Sequence, residues 1–314
     1  MTISTTCTSR VTLLAGGVGA ARLLRGLAEV VQPGRLTVIV NTGDDDEFYG
    51  LHVSPDLDTI VYTLGGLAPE GRGWGIRGDG FHALGALERL YGPAWFQLGD
   101  RDLATHVYRT DQLRRGRTLS EVTAEIAGAF GIDTPILPAT DDRLRTFLDT
   151  DIGRLPFQRW LVAERGRPRV ARVSYVGAKT ARPAPGVLEA IEHADRVIVA
   201  PSNPYVSIGP ILAVPGVKRA LRAAVGRTVA VSPLIHGKAV KGPLADMLRA
   251  RGLRPDAAAI ASLYRGLAAR LIVAEGDTTP AARARGRGWP ELVEHDILIG
   301  KRAAAVRLAR FVCA

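Results

Sequence analysis

The stretch "RVTLLAGGVGAARLLRGLAEVV", residues 10–31, places a short apolar run, three glycines and a helical pattern in direct succession. In its second half Leu23, Leu24 and Leu27 recur at the spacing of a helix with one buried face. A second apolar run, "RLTVIVN" (35–41), follows the helix-breaking pair at 33–34. The stretch therefore predicts a strand, a glycine turn, a helix and a second strand.

The same alternation returns in the second half of the chain. Apolar runs at 196–203, 227–233 and 270–277 alternate with helical patterns at 186–194, 215–224, 243–251 and 256–269. Fully apolar strands that alternate with helices indicate an α/β fold, a doubly wound and mostly parallel sheet covered on both faces. Residues 61–169 differ, because they are mostly helical with an added β segment at 145–177. We predict a core of residues 1–60 and 170–314 and a mostly helical insertion, 61–169, over the functional edge. The helix of "TLSEVTAEIAGAFG" (118–131) is expected to start with Ser120 as its N-cap.

The chain of 314 residues is strongly basic, with a net charge of +10, and 36 of its 41 basic residues are arginine. A basic balance favours phosphate-bearing partners. The arginines are scattered and aromatic residues are only 6% of the chain, which argues against nucleic acid and for small phosphorylated ligands. We find no apolar stretch of membrane-spanning length and no apolar leader, so we expect no membrane partner and a cytoplasmic protein. Cys7 and Cys313 make neither a disulfide framework nor a zinc site.

The glycine turn is the first candidate for a binding site. Gly16, Gly17 and Gly19 lie between strand and helix, where backbone N–H groups and a helix N-terminus can bind phosphate. The dinucleotide pattern G-x-G-x-x-G fails at its third glycine, where Arg22 stands, although Asp44 could supply the acidic residue about twenty positions on. An NAD(P)-dependent oxidoreductase and a purely structural turn both remain open on these residues.

An acidic loop follows the second strand. Five aspartates lie in "NTGDDDEFYGLHVSPDLDT" (41–59), and Asp56 and Asp58 would point the same way in an extended segment. In a parallel sheet this loop shares an edge with the glycine turn, which is where such sheets bind ligands. Carboxylates suit Mg²⁺, which pairs one or two of them with substrate phosphates. The alternative is a solvated acidic turn in which Asp58 caps a helix.

Three further loops carry polar residues. "LGDRDLATHVYR" (98–109) offers Asp100, Arg101, Thr105 and His106, or simply a helix cap with surface ion pairs. The loops "APSNPYVSIGPIL" (200–212) and "SPLIHGKAVKGP" (232–243) follow apolar strands, and each could be turn chemistry alone. The candidates in these two loops are Ser202, Asn203, Lys238 and Lys241, of which the lysines could reach a diphosphate.

Several long motifs together resemble one known family, the 2-phospho-L-lactate transferases of coenzyme F-420 biosynthesis. The resemblance runs in order from about residue 11 to residue 277. Its motifs are "GGVGAARLLRGL", "VNTGDDDEFYGLHVSPDLDTIVYTLGG", "GWGI", "WFQLGDRDLATH", "ILPATDD", "FQRWLV", "APSNPYVSIGPILAVPGV" and "SPLIHGKAVKGPLADML". Near the C-terminus "HDILIG" (295–300) replaces a Thr-x-Leu-Met-like segment of many relatives, whereas Asp277 matches.

The resemblance implies a Rossmann-like core with a helical insertion, a homodimer, and a Mg²⁺-dependent transfer. The donor would be a guanosine diphosphate conjugate of lactate, enolpyruvate or another three-carbon acid such as glycerate. The acceptor would be the ribityl hydroxyl of the deazaflavin Fo, and GMP would be released. The alternative within this class is a phosphoryl or nucleotidyl transferase with another acceptor. The implied catalytic residues are Asp56, Asp58 and Arg101, and the implied metal ligands are Asp45, Asp56 and Asp58, with the choice among residues 44, 45 and 46 left open. Substrate-binding roles are implied for Gly16, Gly17, Gly19, Asp100, Thr105, His106, Ser202, Asn203, Lys238 and Lys241, with the insertion forming part of the acceptor pocket.

Overall fold

A seven-stranded sheet, parallel at every pairing, forms the centre of the protein. It was analysed in a computed structural model that describes residues 6–69, 73–240, 242–278 and 286–314. In spatial order the strands are Glu291–Glu294 (β14), Arg270–Val273 (β13), Thr228–Val231 (β10), Arg196–Val199 (β9), Val11–Ala15 (β1), Leu36–Val40 (β2) and Ile136–Pro138 (β5). The chain builds outward from β1 in one direction and from β9 in the other. Between β1 and β9 the strand order therefore reverses, and such a switch point opens a crevice at the carboxyl ends of the strands.

Helices cover both faces of the sheet. They are Gly17–Val30 (α1), Pro55–Leu64 (α2), His82–Tyr91 (α3), Asp100–Arg114 (α4), Leu119–Ala129 (α5), Val187–Glu192 (α6), Ile208–Ala213 (α7), Val217–Ala223 (α8), Leu244–Arg249 (α9), Ala257–Leu263 (α10) and Arg302–Cys313 (α11). Successive residues of β1 alternate between two hydrophobic clusters: Leu13 packs with α1, α2, α5 and α11, whereas Leu14 packs with α6, α7, α8 and α10. The predicted doubly wound α/β fold is confirmed.

Short antiparallel pieces lie outside the main sheet. They are the hairpins Asp46–Phe48 (β3) with Leu51–Val53 (β4) and Leu234–Ile235 (β11) with Lys238–Ala239 (β12), and a three-stranded sheet of Arg145–Thr150 (β6), Gly153–Pro156 (β7) and Val170–Val176 (β8). The strands expected within 145–177 are thus present. The "RWLVA" part of that region is instead a π-helical turn, Arg159–Ala163, because it buries Trp160, whose indole N–H donates to the carbonyl of Pro168 at 2.8 Å.

The division of the chain at residues 61 and 169 stays a prediction, but β5 lies inside the predicted insertion and still forms the edge of the main sheet beside β2. The expected N-cap at Ser120 is wrong by two residues. Thr118 caps α5 in a capping box, in which its hydroxyl accepts from the N–H of Glu121 and its own N–H donates to the Glu121 carboxylate. Ser120 lies within the helix and donates to Asp141.

The first and last helices of the sequence touch along their backbones. A Cβ on Gly26 of α1 would lie 2.2 Å from the carbonyl oxygen of Ala305 in α11, so only glycine permits this approach. Leu308 and Val312 of α11 are buried in the same cluster as α1. The C-terminal helix therefore completes the hydrophobic core on this face. Among the described residues, no helix is long and apolar enough to cross a membrane.

Candidate active site

A cavity of about 690 Å³ opens at the switch point between β1 and β9. Its wall comes from segments far apart in the sequence: the glycine turn after β1, the loop after β9, the start of α2, and α4. Further lining comes from residues 74–75, 94–97, 157–158, 161–162, 232–233, 240, 242–244, 297 and 299. The loops that the sequence assigned to one edge of the sheet thus surround one space.

The glycine turn is fastened to the loop after β9. A Cβ on Gly19 would lie 2.2 Å from the carbonyl oxygen of Pro201, and the hydroxyl of Ser202 donates to the carbonyl of Gly16 at 2.6 Å. Gly17 has a φ of +69°, which favours glycine. Its N–H is not free for a ligand, because it donates to Oδ1 of Asp56 at 2.8 Å. The turn therefore brings an aspartate to the N-terminus of α1.

Asp56 and Asp58 do not point the same way, contrary to the expectation from an extended segment. Pro55 is the first residue of α2, a position at which proline favours helix formation, so both aspartates lie in the first turn of a helix. Residues two apart on a helix are about 200° apart around its axis. Asp56 accordingly reaches the glycine turn, and Asp58 reaches α4.

Asp44 and Asp56 form a buried, mutually repelling pair beside the glycine turn. Burial raises the pKa of Asp56 to about 6, against the hydrogen bonds from Asn41 and Gly17, and burial together with the charge of Asp56 raises the pKa of Asp44 well above its usual value. Asp45 accepts from Ser54 at 2.9 Å and lies 3.1 Å from His52. One oxygen each of Asp44 and Asp45 is buried without a hydrogen-bond partner in the described structure.

These carboxylates suit a hard divalent cation. Asp44 and Asp56 both line the cavity, and a positive ion between them would relieve their repulsion and satisfy the free oxygen of Asp44. Within the described ranges, no group of three or more His, Cys, Asp or Glu side chains could hold a metal by itself. A cation held by Asp44 and Asp56 would need phosphate oxygens and water to complete its shell, as Mg²⁺ commonly does.

Asp58 is held by a buried arginine. Both guanidinium NH groups of Arg109 donate to its carboxylate, and the side chains are only 1% and 7% exposed. His106 Nδ1 lies 3.7 Å from Asp58 and its Nε2 lies 3.2 Å from Asp102, which also accepts from the hydroxyl of Tyr62. Although burial opposes it, hydrogen bonding and charge from His106 keep the pKa of Asp102 below its usual value. Burial raises the pKa of Tyr62.

Sequence reasoning gave no role to Arg109, Asp102 or Tyr62. Asp102, His106 and Arg109 are spaced by four and three residues along α4, which puts them on one face of that helix. A polar triplet on the buried face of a helix is a usable signal. The 51-residue separation between Asp58 and Arg109 hides the partner, however, because nothing local links α2 to α4.

The other predicted site residues fall into two groups. Asn203, Ser202 and His106 line the cavity, and Thr105 is buried beside Tyr62. The remaining ones are placed as follows.

Asp100 caps α3 by accepting from the N–H groups of Ala83 and His82 at 2.8 and 3.1 Å. Arg101 is exposed, and its backbone N–H donates to Asp79. Lys238 is exposed on the β11–β12 hairpin, two residues before the cavity-lining Val240, and Lys241 lies outside the described residues.

Part of the cavity wall is apolar and aromatic. Trp95 and Phe96 pack edge to face at 5.9 Å between ring centroids, and Phe96 also stacks on Phe48. Further apolar lining comes from Trp74, Phe157, Leu161, Val162, Ile297 and Ile299. The cavity thus combines groups that suit a phosphate and a cation with apolar side chains that suit a flat ring system.

A sequence model of the family "2-phospho-L-lactate transferase CofD" matches residues 11–310 of this chain. The chain belongs to this family. It is 43% identical over 285 residues to a phosphoenolpyruvate transferase of Streptomyces coelicolor, covering 89% of each chain. It is 40% identical over 307 residues to a 2-phospho-L-lactate transferase of Methanopyrus kandleri, covering 96% of each. As a CofD-family member the chain is a transferase.

A solved structure shares the fold at low sequence identity. It is a UPF0052-family protein from Bacillus halodurans, with a TM-score of 0.61 at 18% identity over 98% of this chain and 99% of that one. At this identity the likeness concerns the fold alone, and it agrees with the α/β sheet described above.

Proposed function

We propose that this CofD-family transferase moves a phosphoenolpyruvyl or phospholactyl group from its guanosine diphosphate conjugate to the terminal ribityl hydroxyl of Fo, in coenzyme F-420 biosynthesis. The observation that carries the proposal is the composition of the cavity wall. It joins a glycine turn and buried carboxylates to apolar and aromatic side chains. Relatives of both names, phosphoenolpyruvate and 2-phospho-L-lactate transferase, are about equally similar, so both acids are candidate donors.

The donor diphosphate would lie beside the glycine turn. The N-terminus of α1 and the Pro201–Ser202 loop face this part of the cavity, and helix N-termini favour bound anions. Asn203 lines the same wall, where its side-chain oxygen Oδ1 accepts from the backbone N–H of Tyr205. Lys238 on the β11–β12 hairpin, together with Lys241, remains our candidate for neutralising the diphosphate.

Mg²⁺ is part of the proposal. It would be held by Asp56, with Asp44 or Asp45 supplying the second carboxylate, and would neutralise charge on the transferred phosphoryl group. Asp58 stays a candidate metal ligand, because each of its oxygens accepts one bond from Arg109 and keeps a further lone pair. We also assign Asp58 to orienting the attacking ribityl hydroxyl. The hydroxyl oxygen forms the new bond to phosphorus, the bond to the GMP oxygen breaks, and the hydroxyl proton is lost.

Product masses test the reaction directly. Purified protein is incubated with Fo, Mg²⁺ and the guanylated forms of enolpyruvate, lactate and glycerate in separate reactions. We expect one donor to yield the Fo phosphodiester and GMP, and no donor to react after chelation of the metal. Absence of product from all three donors would refute the proposed substrates.

A variant pair tests the role of Asp58. Asp58→Ala should abolish turnover. It also leaves Arg109 buried without its partner, which should destabilise the protein by about 3–5 kcal/mol, so turnover is measured at a temperature at which circular dichroism shows the variant folded. Asp111→Ala is the matched control, because Asp111 is an exposed aspartate of α4 paired with Arg115. Near-normal turnover of Asp58→Ala would contradict the assignment.

Arg101→Ala tests a role that stays a prediction. By calorimetry it should weaken Fo binding more than GDP binding.

Binding separates this proposal from an NAD(P)-dependent oxidoreductase. GDP or GMP with Mg²⁺ should raise the unfolding temperature by mass action, and NAD(P) should not. The opposite pattern would favour the oxidoreductase. A homodimer is also proposed, and light scattering coupled to size-exclusion chromatography measures it.

A further inference from the structure

Arg22 stands in α1 where the dinucleotide pattern would have its third glycine, and it lines the cavity. Val18 and Gly19, which precede it by four and three residues, line the cavity as well. Residues at these spacings share one face of a helix, and helical side chains lean toward the N-terminus of their helix. The side chain of Arg22 therefore belongs to the face of α1 that forms the cavity wall, next to the glycine turn.

The cavity wall carries more acidic than basic side chains. Among the described residues that line it, Arg22 is the one lysine or arginine, and the acidic ones are Asp44, Asp56, Asp58 and Asp102. Arg22 is partly buried, and within residues 6–69, 73–240, 242–278 and 286–314 its guanidinium makes no hydrogen bond or ion pair. This guanidinium is therefore available to an anionic group of a ligand in the cavity.

Asp56 weakens the attraction of the α1 N-terminus for anions. Its carboxylate accepts from the N–H of Gly17, and so occupies an amide at the end where the helix dipole favours negative charge. A ligand with several negative charges therefore needs cations besides the backbone amides on this wall. Mg²⁺ would supply one beside Asp44 and Asp56, and Arg22 supplies another from α1 itself.

We propose that Arg22 binds the carboxylate of the three-carbon acid in the donor, and thereby selects acid esters of GDP over esters that lack the carboxylate. This inference rests on the proposed function, because it takes the guanylated acid as the donor. The donor carries two kinds of anionic group, the diphosphate and this carboxylate. The glycine turn, Mg²⁺ and Lys238 are already assigned to the diphosphate. A guanidinium presents parallel N–H groups that match the two oxygens of a carboxylate, so Arg22 suits the remaining group.

The test compares two esters of GDP by isothermal titration calorimetry, with Mg²⁺ and without Fo, so that no transfer to the acceptor takes place. One ester carries lactate, and the other carries ethanol, which is the same ester without the carboxylate. Wild type should bind the lactate ester about 10- to 100-fold more tightly, as one charge-assisted bidentate contact provides. Arg22→Gln should remove this preference through weaker binding of the lactate ester alone, and Arg22→Lys should keep part of it.

Arg25→Gln is the matched control. Arg25 lies nearly one turn further along α1, is also partly buried and does not line the cavity, so its replacement should leave the preference intact. Fo should bind Arg22→Gln as tightly as it binds wild type, which shows that the variant is folded and its acceptor site intact.

Three results would overturn the assignment. Equal weakening of both esters in Arg22→Gln would place the contact on the diphosphate instead, and an unchanged preference would show that Arg22 holds neither group. Equal binding of the two esters by wild type would show that the protein does not recognise the carboxylate. If wild type binds neither ester, the proposed donor itself is wrong, and the role of Arg22 is refuted with it.

Discussion

Replacement of Arg109 by methionine leaves the carboxylate of Asp58 buried without its cation. The two side chains are 1% and 7% exposed, so water does not screen the pair. Removal of one partner of a buried ion pair destabilises a protein by about 3–5 kcal/mol, since the remaining charge is uncompensated. For a chain of 314 residues we expect Arg109→Met to lower the unfolding temperature by about 5–8 °C.

The measurement is urea unfolding followed by circular dichroism, together with a thermal melt. Arg115→Met is the matched control, because Arg115 follows directly after α4 and pairs with Asp111 while 67% exposed. Exposed ion pairs contribute little, so the control should change stability far less than Arg109→Met.

A double variant supplies the result that would refute this reasoning. Asp58→Asn placed in the Arg109→Met protein removes the uncompensated charge and should recover much of the lost stability. If the two substitutions instead destabilise additively, Asp58 and Arg109 do not form the pair on which the argument rests. Activity should not recover in the double variant, because the oriented carboxylate is gone.

Three further variants test the glycine turn and the two buried carboxylates beside it. Gly19→Ala should lower stability by roughly 1–3 kcal/mol and weaken GDP binding, because its Cβ would meet the carbonyl of Pro201. Gly85→Ala is the control for the thermal melts: a Cβ there meets nothing within 4 Å, so the substitution should be neutral or mildly stabilising. In metal-free protein the raised pKa of Asp56, about 6, means that the folded state holds this proton more tightly than the unfolded chain. The resulting stabilisation of the folded state is present at low pH and is lost as the pH rises from about 4 to about 6. Over that window, the free energy of unfolding of wild type should fall by about 3 kcal/mol relative to that of Asp56→Asn, as measured by urea titrations. A difference that does not change with pH would show that Asp56 titrates normally. Asp44→Asn should stabilise the metal-free protein and reduce the rise in unfolding temperature that Mg²⁺ produces in wild type.

The sequence predicts the elements whose signals are local. Leu23, Leu24 and Leu27 repeat at the helical period, and the apolar runs on either side are long enough to be recognised as β1 and β2. The strand β5 has only three residues and ends in proline, so no periodicity exposes it. Its place beside β2 depends on tertiary packing, which a single sequence does not reveal.

The sequence predicted where the loops of the candidate site lie, but not the contacts between their side chains. The glycine turn and the acidic loop were located correctly at the edge of the sheet, because their strands are evident in the sequence. The directions of Asp56 and Asp58 were not, since Pro55 starts a helix where an extended segment was expected. The apolar lining was missed because its side chains come from segments more than 200 residues apart, such as Trp95 and Ile297.

The close contact between Gly26 in α1 and Ala305 in α11 has a consequence for the nascent chain. About 280 residues must emerge from the ribosome after the first helix before its last partner exists, which at roughly 5–20 residues per second takes roughly 14–56 seconds. Throughout that time the part of the first helix that α11 covers lacks its partner, although the sheet and α2 already cover the rest. A chaperone that shields this remaining apolar strip should therefore raise the yield of folded protein during synthesis.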